Sequence, residues 1–467
     1  MTLVPSGFRS LAACASLLGR IAVRRAGSAG NLRAVRTELE IEGLAPGGEG
    51  VGRSGARPVF VPFTAPGDRV VADVPAGEGP AHGVLVEVKA PGAERVTAPC
   101  RHFAGTSECG GCEWLHVRYE AQLVAKARGF AETLRRIGRM DPEACGLRPI
   151  LPSPSPLRYR ARAKFHLDRS SGKLAFFRRR SHAPVPLAEC HLLAPGLDAL
   201  REAVGPALGR ARLAPAEVAL EWSEEQGRGS ALLLLEPTPA ARARAEALLV
   251  EVPALAGVVL RGERGPPAIV GAPVLRLVRV PGRPEAGLQR TRPDVFQQAN
   301  RGANAVLVET ALGLLRPDGE DVLELFCGAG NFTAPLAARA RAVAAVEVQG
   351  PALDLAREDL AAASNVRFFA GDALKLALAL ARERGPTARR FGAVLLDPPR
   401  EGAKGIGPAL RELGAARAVY VSCDPATLAR DVRACVEAGY RVAAVQPVDM
   451  FPQTHHVEGV VLLEAGR

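Results

Sequence analysis

The hydrophobic pattern is most regular in the last third of the chain, where short apolar runs alternate with segments of helical periodicity. Each run has the length of a buried strand and is bounded by polar or turn-forming residues. We expect strands at 321–326, 342–347, 366–369, 392–396, 418–422, 441–447 and 457–463. Buried strands that alternate with helices predict an open α/β sheet of the doubly wound, Rossmann-like kind. In such a sheet the functional residues follow the carboxyl ends of the strands.

The N-terminal region has a different pattern, in which short β-rich pieces are separated by glycine turns. Strands are expected within 39–42, 58–62, 68–74 and 83–88, with a glycine-rich turn at 46–55. Short strands at regular spacing predict a small β-barrel. Further on, apolar residues recur at helical spacing from Tyr119 to Met140, which predicts a helix that ends before the Asp141-Pro142 step.

Residues 157–180 carry nine arginines or lysines against one acid. Four of these cations alternate with apolar and aromatic residues, at Arg158, Arg160, Arg162 and Lys164. This period of two predicts a strand with all four cations on one face. Such a face is a candidate track for RNA phosphates, and the alternative is a strand face that is simply solvated.

Composition limits the class of protein. The 467 residues can form several domains. The net charge is +11. More than half of it comes from residues 1–37, which contain six arginines and no acid. This extension (1–36) is a transit peptide or, in the interpretation we favour, a disordered segment. No apolar run reaches the length of a membrane span, so we expect a cytoplasmic protein without a membrane partner. In that reducing compartment the nine cysteines are candidate ligands or nucleophiles rather than disulfides.

A glycine turn after the first strand of the C-terminal region suggests a cofactor site. Residues 324–333 read Glu-Leu-Phe-Cys-Gly-Ala-Gly-Asn-Phe-Thr, and Glu347 ends the next strand. The glycines allow close backbone approach to a ligand, and a carboxylate at Glu347 could hold two ribose hydroxyls. This combination is typical of S-adenosylmethionine-dependent methyltransferases, and a nicotinamide enzyme is the competing interpretation.

Further motifs make the pattern specific. Asp397-Pro-Pro-Arg follows one strand, Ser-Cys423-Asp-Pro follows the next, His-His-Val-Glu458 precedes the last strand, and Phe296-Gln-Gln-Ala-Asn300 lies upstream. Together these segments resemble the RNA uracil-5-methyltransferase family, and in particular its 23S rRNA enzymes. The barrel at 37–92, with its Gly-Glu-Gly-Val-Gly turn, resembles a TRAM domain. The resemblance covers roughly residues 37–467.

The resemblance implies a function for individual residues. Cys423 would be the nucleophile that adds to carbon 6 of uracil, and Glu458 would be the base that removes the carbon-5 proton. S-adenosylmethionine would be held by side chains on the strand ends and the upstream motif: Gln298, Phe326, Asn331, Glu347, Asp372 and Asp397. Of these, Gln298 and Asp397 would also read the uracil edge. The reaction expected is methyl transfer to carbon 5 of a uridine in RNA by a monomeric enzyme.

Four other cysteines form a second group: Cys100, Cys109, Cys112 and Cys190. Two of them stand in a Cys-x2-Cys turn, and four thiolates can bind either zinc or an iron–sulfur cluster. The resemblance favours a [4Fe–4S] cluster. We therefore expect a TRAM barrel at 37–92, a central iron–sulfur and RNA-binding α+β domain at 93–288 and a methyltransferase domain at 289–467.

Three alternatives remain open at the level of sequence. The RNA substrate could be tRNA instead of 23S rRNA. The chain could be a catalytically inactive RNA-binding protein, although Cys423, Asp397 and Glu458 are all present. It could also methylate cytosine, but RNA cytosine-5 enzymes usually carry Pro-Cys where this chain has Asp397-Pro-Pro.

Overall fold

The computed structural model describes residues 34–105, 108–382 and 391–466. By its internal contacts the chain divides into two compact units. The first comprises the residues up to Thr97 together with Glu113–Ala121, and the second comprises Ala98–Cys112 and all residues from Gln122 onward. The domain limits expected at 92 and 288 stay predictions. Most of the basic N-terminal extension lies outside the described residues, and strand β1 begins at Ala34.

The first unit is built on a six-stranded, mostly antiparallel sheet in the order β5-β3-β2-β1-β4-β6. Its strands are β1 Ala34–Leu44, β2 Gly50–Ser54, β3 Arg57–Val61, β4 Arg69–Pro75, β5 Ala81–His82 and β6 Val84–Ala90. One face carries a compact apolar cluster that includes Ile41, Val59 and Val70. The fully buried Asp68 accepts hydrogen bonds from the Arg95 guanidinium and from the amides of Ala65 and Gly92, so its charge is compensated.

Strand β2 corrects the expectation of a turn throughout 46–55, because Gly50–Ser54 pairs with both β1 and β3. The glycines permit this pairing. A Cβ atom on Gly50 would lie 1.9 Å from the Thr64 hydroxyl oxygen, and one on Gly52 would lie 2.7 Å from the Glu40 carbonyl oxygen. Glycine here lets strands pack closely, a use that composition alone does not separate from a turn.

The second unit begins with a seven-stranded mixed sheet in the order β13-β12-β11-β10-β7-β8-β9. Its strands are β7 Arg162–Asp168, β8 Lys173–Phe177, β9 Pro184–Pro186, β10 Val218–Ser223, β11 Arg228–Leu234, β12 Leu255–Arg261 and β13 Ala268–Gly271. A two-stranded hairpin follows, formed by β14 Leu275–Val280 and β15 Arg283–Thr291. The expected cationic strand therefore starts at Arg162 and not at Arg158.

The C-terminal sheet has seven strands in the order β18-β17-β16-β19-β20-β22-β21. They are β16 Asp321–Leu325, β17 Ala342–Glu347, β18 Val366–Ala370, β19 Ala393–Leu396, β20 Arg417–Ser422, β21 Tyr440–Val448 and β22 Glu458–Ala465. Strands β16 to β20 are parallel, and β22 is antiparallel to both β20 and β21. All seven strands expected from the sequence are present. The central ones, β19 and β20, are almost wholly buried because helices cover both faces of the sheet.

The described helices are Tyr119–Thr133, Pro195–Arg210, Pro239–Glu251, Arg301–Leu315, Thr333–Ala337, Gly350–Asp359, Ala373–Arg382, Ile406–Leu413 and Pro425–Glu437. The helix expected at 119–140 ends in a π-turn at Leu134–Gly138, closed by Arg139 in the left-handed conformation. Among the described residues, no helix combines the length and apolar character needed to cross a membrane.

Candidate active site

The candidate active site lies where three parallel strands end. Phe326 follows β16, Asp397 follows β19 and Cys423 follows β20, and these strands are neighbours in the sheet. Because β22 is antiparallel to β20, with Ser422 paired to Gly459, its first residue Glu458 reaches the same edge. Strand direction and register thus bring together residues that are far apart in the sequence.

The turn after β16 has the backbone geometry of a ligand cradle. Phe326 has φ +64°, an uncommon conformation for a side-chain-bearing residue, and Gly328 and Gly330 also have positive φ. The Gly328 amide donates to Glu347 Oε2 over 2.9 Å. Glu347 Oε1 in turn accepts from the amides of Val348 and Gln349. The carboxylate is fixed in orientation, and it keeps acceptor capacity for a hydroxyl-bearing ligand.

Two other expected cofactor residues have partners within the protein. The Asn331 side-chain amide exchanges two hydrogen bonds with Asn304, of 2.8 and 3.0 Å, which fixes the end of the glycine turn. The exposed Asp372 accepts from the Lys375 amide over 2.9 Å and caps the helix Ala373–Arg382. Helix capping alone would account for an aspartate at this position.

Glu324, in the middle of β16, is a residue to which the sequence motif assigns no function. It is completely buried, and within the described part of the chain neither carboxylate oxygen has a hydrogen-bond partner of normal geometry. Burial, with smaller contributions from the charges of Asp397 and Glu347, raises its pKa to about 8 against the opposing effects of Thr333 and Arg279. A buried carboxyl with a raised pKa beside the glycine turn would be ionised more readily with a cationic ligand at this edge.

The two proposed catalytic groups and Asp397 interact electrostatically. Burial, together with the charge of Asp397, raises the pKa of Glu458 to about 8, and desolvation raises the pKa of Asp397 to about 7. Burial and the charge of Glu458 raise the pKa of the Cys423 thiol to about 11. Cys423 is half-buried and Glu458 is buried. Groups that titrate away from their usual range cluster at this edge, as is typical of catalytic sites.

Arg400 is the cation of this cluster, and the sequence analysis assigns it no function. Its guanidinium hydrogen-bonds Cys423 and lowers the pKa of both the Cys423 thiol and the Glu458 carboxyl. The Thr427 hydroxyl donates to the Arg400 carbonyl oxygen over 3.0 Å, which fixes the loop beside the helix that follows Cys423. A positive charge next to a thiol favours the thiolate.

The upstream motif contains two buried side chains, Gln298 and Asn300, and one that is strongly exposed. Gln298 is buried, whereas Phe296 is 68% exposed. Gln297 donates to Gln289 on β15, and Gln289 donates to the Ala329 carbonyl oxygen in the glycine turn. The segment is therefore connected to the cofactor turn. An exposed aromatic ring beside it is a surface on which a nucleobase could stack.

The structure brings the four cysteines of the second group together. Each of the thiols of Cys109, Cys112 and Cys190 interacts electrostatically with others of the group and with Arg160, and Cys100 interacts with Cys190. Burial raises the pKa of all four. Among the residues the structure describes, no group of three or more His, Cys, Asp or Glu side chains has the arrangement of a metal site.

The alternation expected at 158–164 is confirmed by burial, since the residues between the cations are buried, but the strand begins only at Arg162 and the cations are unequally exposed. Arg162 donates to the carbonyl oxygens of Pro293 and Val295 and lies 3.9 Å from the buried Glu221. Arg158 donates to the Cys190 carbonyl oxygen over 2.9 Å. Of the four cations, Lys164 has the most exposed side chain, at 65%, and it pairs with Glu217. Arg158 and Arg162 therefore have acceptors within the protein.

The chain is similar to known RNA-modifying proteins over most of its length. A family model described as tRNA (Uracil-5-)-methyltransferase matches residues 278–466, and the TRAM domain model matches residues 36–77. A 23S rRNA (uracil(1939)-C(5))-methyltransferase RlmD from Pseudomonas putida is 37% identical over 92% of this chain and 94% of its own. The enzyme of the same name from Thiobacillus denitrificans is 36% identical over 91% of this chain and 99% of its own.

A solved structure has a similar fold. It is the tRNA (uracil-54, C5)-methyltransferase of Pyrococcus abyssi in complex with S-adenosyl-L-homocysteine. The TM-score is 0.69 at 22% identity, and the match covers 92% of this chain and all of the other. At this level of identity the likeness concerns the fold.

Proposed function

The chain belongs to the RNA uracil-5-methyltransferase family, and we propose that it transfers a methyl group from S-adenosylmethionine to carbon 5 of a uridine in 23S rRNA. The observation that carries the proposal is the meeting of Cys423, Asp397 and Glu458 at one sheet edge beside the glycine turn. The choice of 23S rRNA is supported by the names of the relatives that match nearly the whole chain.

The residue types follow from the chemistry of uracil. Carbon 5 is a poor nucleophile until the Cys423 thiolate adds to carbon 6, forming an S–C6 bond and an enolate. Carbon 5 then forms a bond to the methyl carbon as the bond from that carbon to sulfur breaks, and S-adenosylhomocysteine is the leaving group. Glu458 removes the remaining proton from carbon 5, the electron pair re-forms the C5–C6 double bond, and the thiolate leaves. A carboxyl with a pKa of about 8 is well matched to this proton transfer near neutral pH.

S-adenosylmethionine supplies the methyl group when bound, and the residues present fit it. Glu347 has an oriented carboxylate for ribose hydroxyls, and the positive-φ turn at 326–330 allows backbone approach. Glu324, Glu347 and Asp397 place three carboxyl groups at this edge, and a ligand that carries an ammonium and a sulfonium charge would favour their ionised forms. Gln298, Asn331 and Asp372 complete the proposed set.

We also propose that Cys100, Cys109, Cys112 and Cys190 hold a [4Fe–4S] cluster. Four thiols that interact with one another, two of them buried and two half-buried, support this donor set, and Arg160 beside three of them would offset the charge of the thiolates that ligation requires. Anaerobically purified protein should be brown and contain about four irons per chain. Stoichiometric zinc in colourless, active protein would contradict this assignment.

The RNA must present an unstacked uridine, because carbon 6 is inaccessible in a helix. Asp397 and Gln298 are proposed to read the uracil edge, while the exposed ring of Phe296 offers a stacking surface. The TRAM domain is proposed to hold flanking RNA. We further propose that the protein acts as a cytoplasmic monomer, which sedimentation of the purified enzyme with and without RNA tests.

The experiment uses two reactions, each with the enzyme and radiolabelled S-adenosylmethionine. One contains unmodified 23S rRNA and the other contains unmodified tRNA. Nuclease digestion and mass spectrometry should then find 5-methyluridine in the rRNA. Methylation of tRNA alone would support the second candidate substrate, which the description of the matching family model favours. Absence of 5-methyluridine in both RNAs, with protein that binds the cofactor, would refute the function.

A further inference from the structure

The turn that delivers Glu458 is unusually polar for its burial. It leaves β21 at Val448 and re-enters the sheet at Glu458, and these two residues are paired. Within it Asp449 is completely buried, while Gln453 and Thr454 are less than a tenth exposed. Gln453 also has φ +69°, in the left-handed region. A buried turn of this kind keeps its shape only if the surroundings specify it.

The first group of contacts comes from the helix Tyr119–Thr133, more than 300 residues earlier in the chain. Lys126 Nζ lies 2.5 Å from Asp449 Oδ1, and both side chains are completely buried. The same ammonium donates to the Phe451 carbonyl oxygen over 2.9 Å. The Gln122 side-chain nitrogen donates to Gln453 Oε1, and the Gln453 backbone amide donates to Gln122 Oε1, each over 2.9 Å.

The second group comes from the segment just before β7. The Tyr159 hydroxyl is buried and donates to the Pro452 carbonyl oxygen over 3.1 Å. Two residues later, the Ala161 amide donates to the Ala299 carbonyl oxygen over 2.9 Å, next to Gln298. The Asn300 side chain donates to the Met450 carbonyl oxygen over 3.1 Å, so the uracil-side motif and the turn are joined.

Energetics argue that these contacts do more than stabilise the fold. A buried ion pair has a desolvation cost that often equals or exceeds its attraction, and apolar residues of similar volume would hold a helix on a sheet as well. What polar contacts add is orientation: each one fixes a particular backbone oxygen or amide of the turn. A base that must reach a carbon-bound proton needs its position fixed to within a fraction of an ångström.

We propose that Tyr159, together with Gln122 and Lys126, is a positioning residue for Glu458: these buried side chains hold the turn at 449–454 so that the carboxylate faces carbon 5 of the bound uracil. The inference rests on the proposed function. Loss of the Tyr159 hydroxyl should slow proton removal more than the earlier steps, because Cys423 and the glycine turn lie on other strands.

The test compares two tyrosine variants of the full-length enzyme. Tyr159→Phe removes the hydrogen bond to Pro452. Tyr440→Phe is the matched control, because its buried hydroxyl also contacts backbone carbonyl oxygens, those of Leu410 and Ala415, outside the turn. We measure turnover on RNA, affinity for S-adenosylmethionine, thermal unfolding and the amount of protein covalently bound to methylated RNA in a denaturing gel.

Tyr159→Phe should turn over about tenfold more slowly than Tyr440→Phe, and methylated RNA should accumulate as a covalent complex. Cofactor affinity should stay within twofold of wild type. Equal rates for the two variants, or a slow Tyr159→Phe enzyme without the complex, would overturn the proposal. If Tyr159→Phe does not fold, Gln122→Met replaces it in the test, because it removes the hydrogen bonds between Gln122 and Gln453 in the same turn. The results that support or overturn the proposal are then the same. A wild-type enzyme that methylates no RNA would instead refute the proposed function.

Discussion

The active edge of the C-terminal sheet and the segment 158–164 both contain many charged groups, but these groups differ in how far their charge is compensated by neighbouring residues. At the active edge, Asp397, Glu458 and Cys423 all have raised pKa values, and the Arg400 guanidinium acts on two of them, Glu458 and Cys423. In the segment, by contrast, Arg162 has two carbonyl acceptors and a nearby carboxylate. Charge is plentiful in both regions, but at the edge three acidic groups have raised pKa values, whereas in the segment Arg158 and Arg162 have acceptors within the protein. Shifted pKa values, rather than charge density, mark the region able to do chemistry.

Glu458→Gln should have the largest effect among changes that keep Cys423. The amide cannot take the carbon-5 proton, so turnover should fall by at least about a hundredfold. The methylated RNA should remain attached to the protein. Glu224→Gln, an exposed residue in a turn of the middle sheet, serves as the control. Turnover near the wild-type rate in Glu458→Gln would show that another group is the base.

Arg400→Gln should have the next largest effect. Without the guanidinium the Cys423 pKa rises, which leaves about tenfold less thiolate at neutral pH. The rate of Cys423 alkylation by iodoacetamide, followed from pH 7 to 10, should shift to higher pH, and methyl transfer should slow in parallel. Arg411→Gln, on the exposed side of the helix Ile406–Leu413, is the control. An alkylation profile identical to wild type would show that Arg400 does not lower the pKa of the Cys423 thiol.

The difference between the regions also explains how much the sequence could predict. The strand-end motifs place Asp397, Cys423 and Glu458 correctly because β-strand direction fixes which edge they reach. The face of Arg162 depends on Glu221 and on residues 293–295, which no local pattern reveals. Arg400 stands within a quoted motif, and its importance appears only when the fold brings it to Cys423. Strand β2 is missed because glycine is common in turns.

The buried acids predict how stability depends on pH. Glu324 has a pKa of about 8 in the folded protein and an ordinary value of 4.5. Between these values the folded state holds a proton that the unfolded state has lost, so stability should fall as pH rises from about 5 to 8. Glu324→Gln should make the thermal midpoint less dependent on pH over this range, whereas Glu224→Gln should not. An unchanged pH dependence in Glu324→Gln would mean that the carboxyl is ionised in the fold.

The smallest effects are expected from the cationic segment, where they distinguish a structural from an RNA-binding arginine. Arg162→Gln should lower the free energy of unfolding by about 1–3 kcal/mol, because the Pro293 and Val295 carbonyl oxygens lose their donor and the buried Glu221 loses a nearby positive charge. Lys164→Gln should leave stability unchanged and weaken RNA binding only a few-fold, with a salt slope smaller by about one. If Arg162→Gln instead kept its full stability and lost RNA affinity, the hypothesis that the cations of this segment bind RNA phosphates would be supported.

The most direct measurement of the central claim is a covalent trap. RNA in which the target uridine is replaced by 5-fluorouridine should attach to the enzyme in the presence of S-adenosylmethionine, because fluorine cannot leave as a proton does. After protease and nuclease digestion, mass spectrometry should find the methylated nucleotide on the peptide that contains Cys423, and Cys423→Ala should form no complex. Attachment at another residue, or an undiminished complex with Cys423→Ala, would contradict the account.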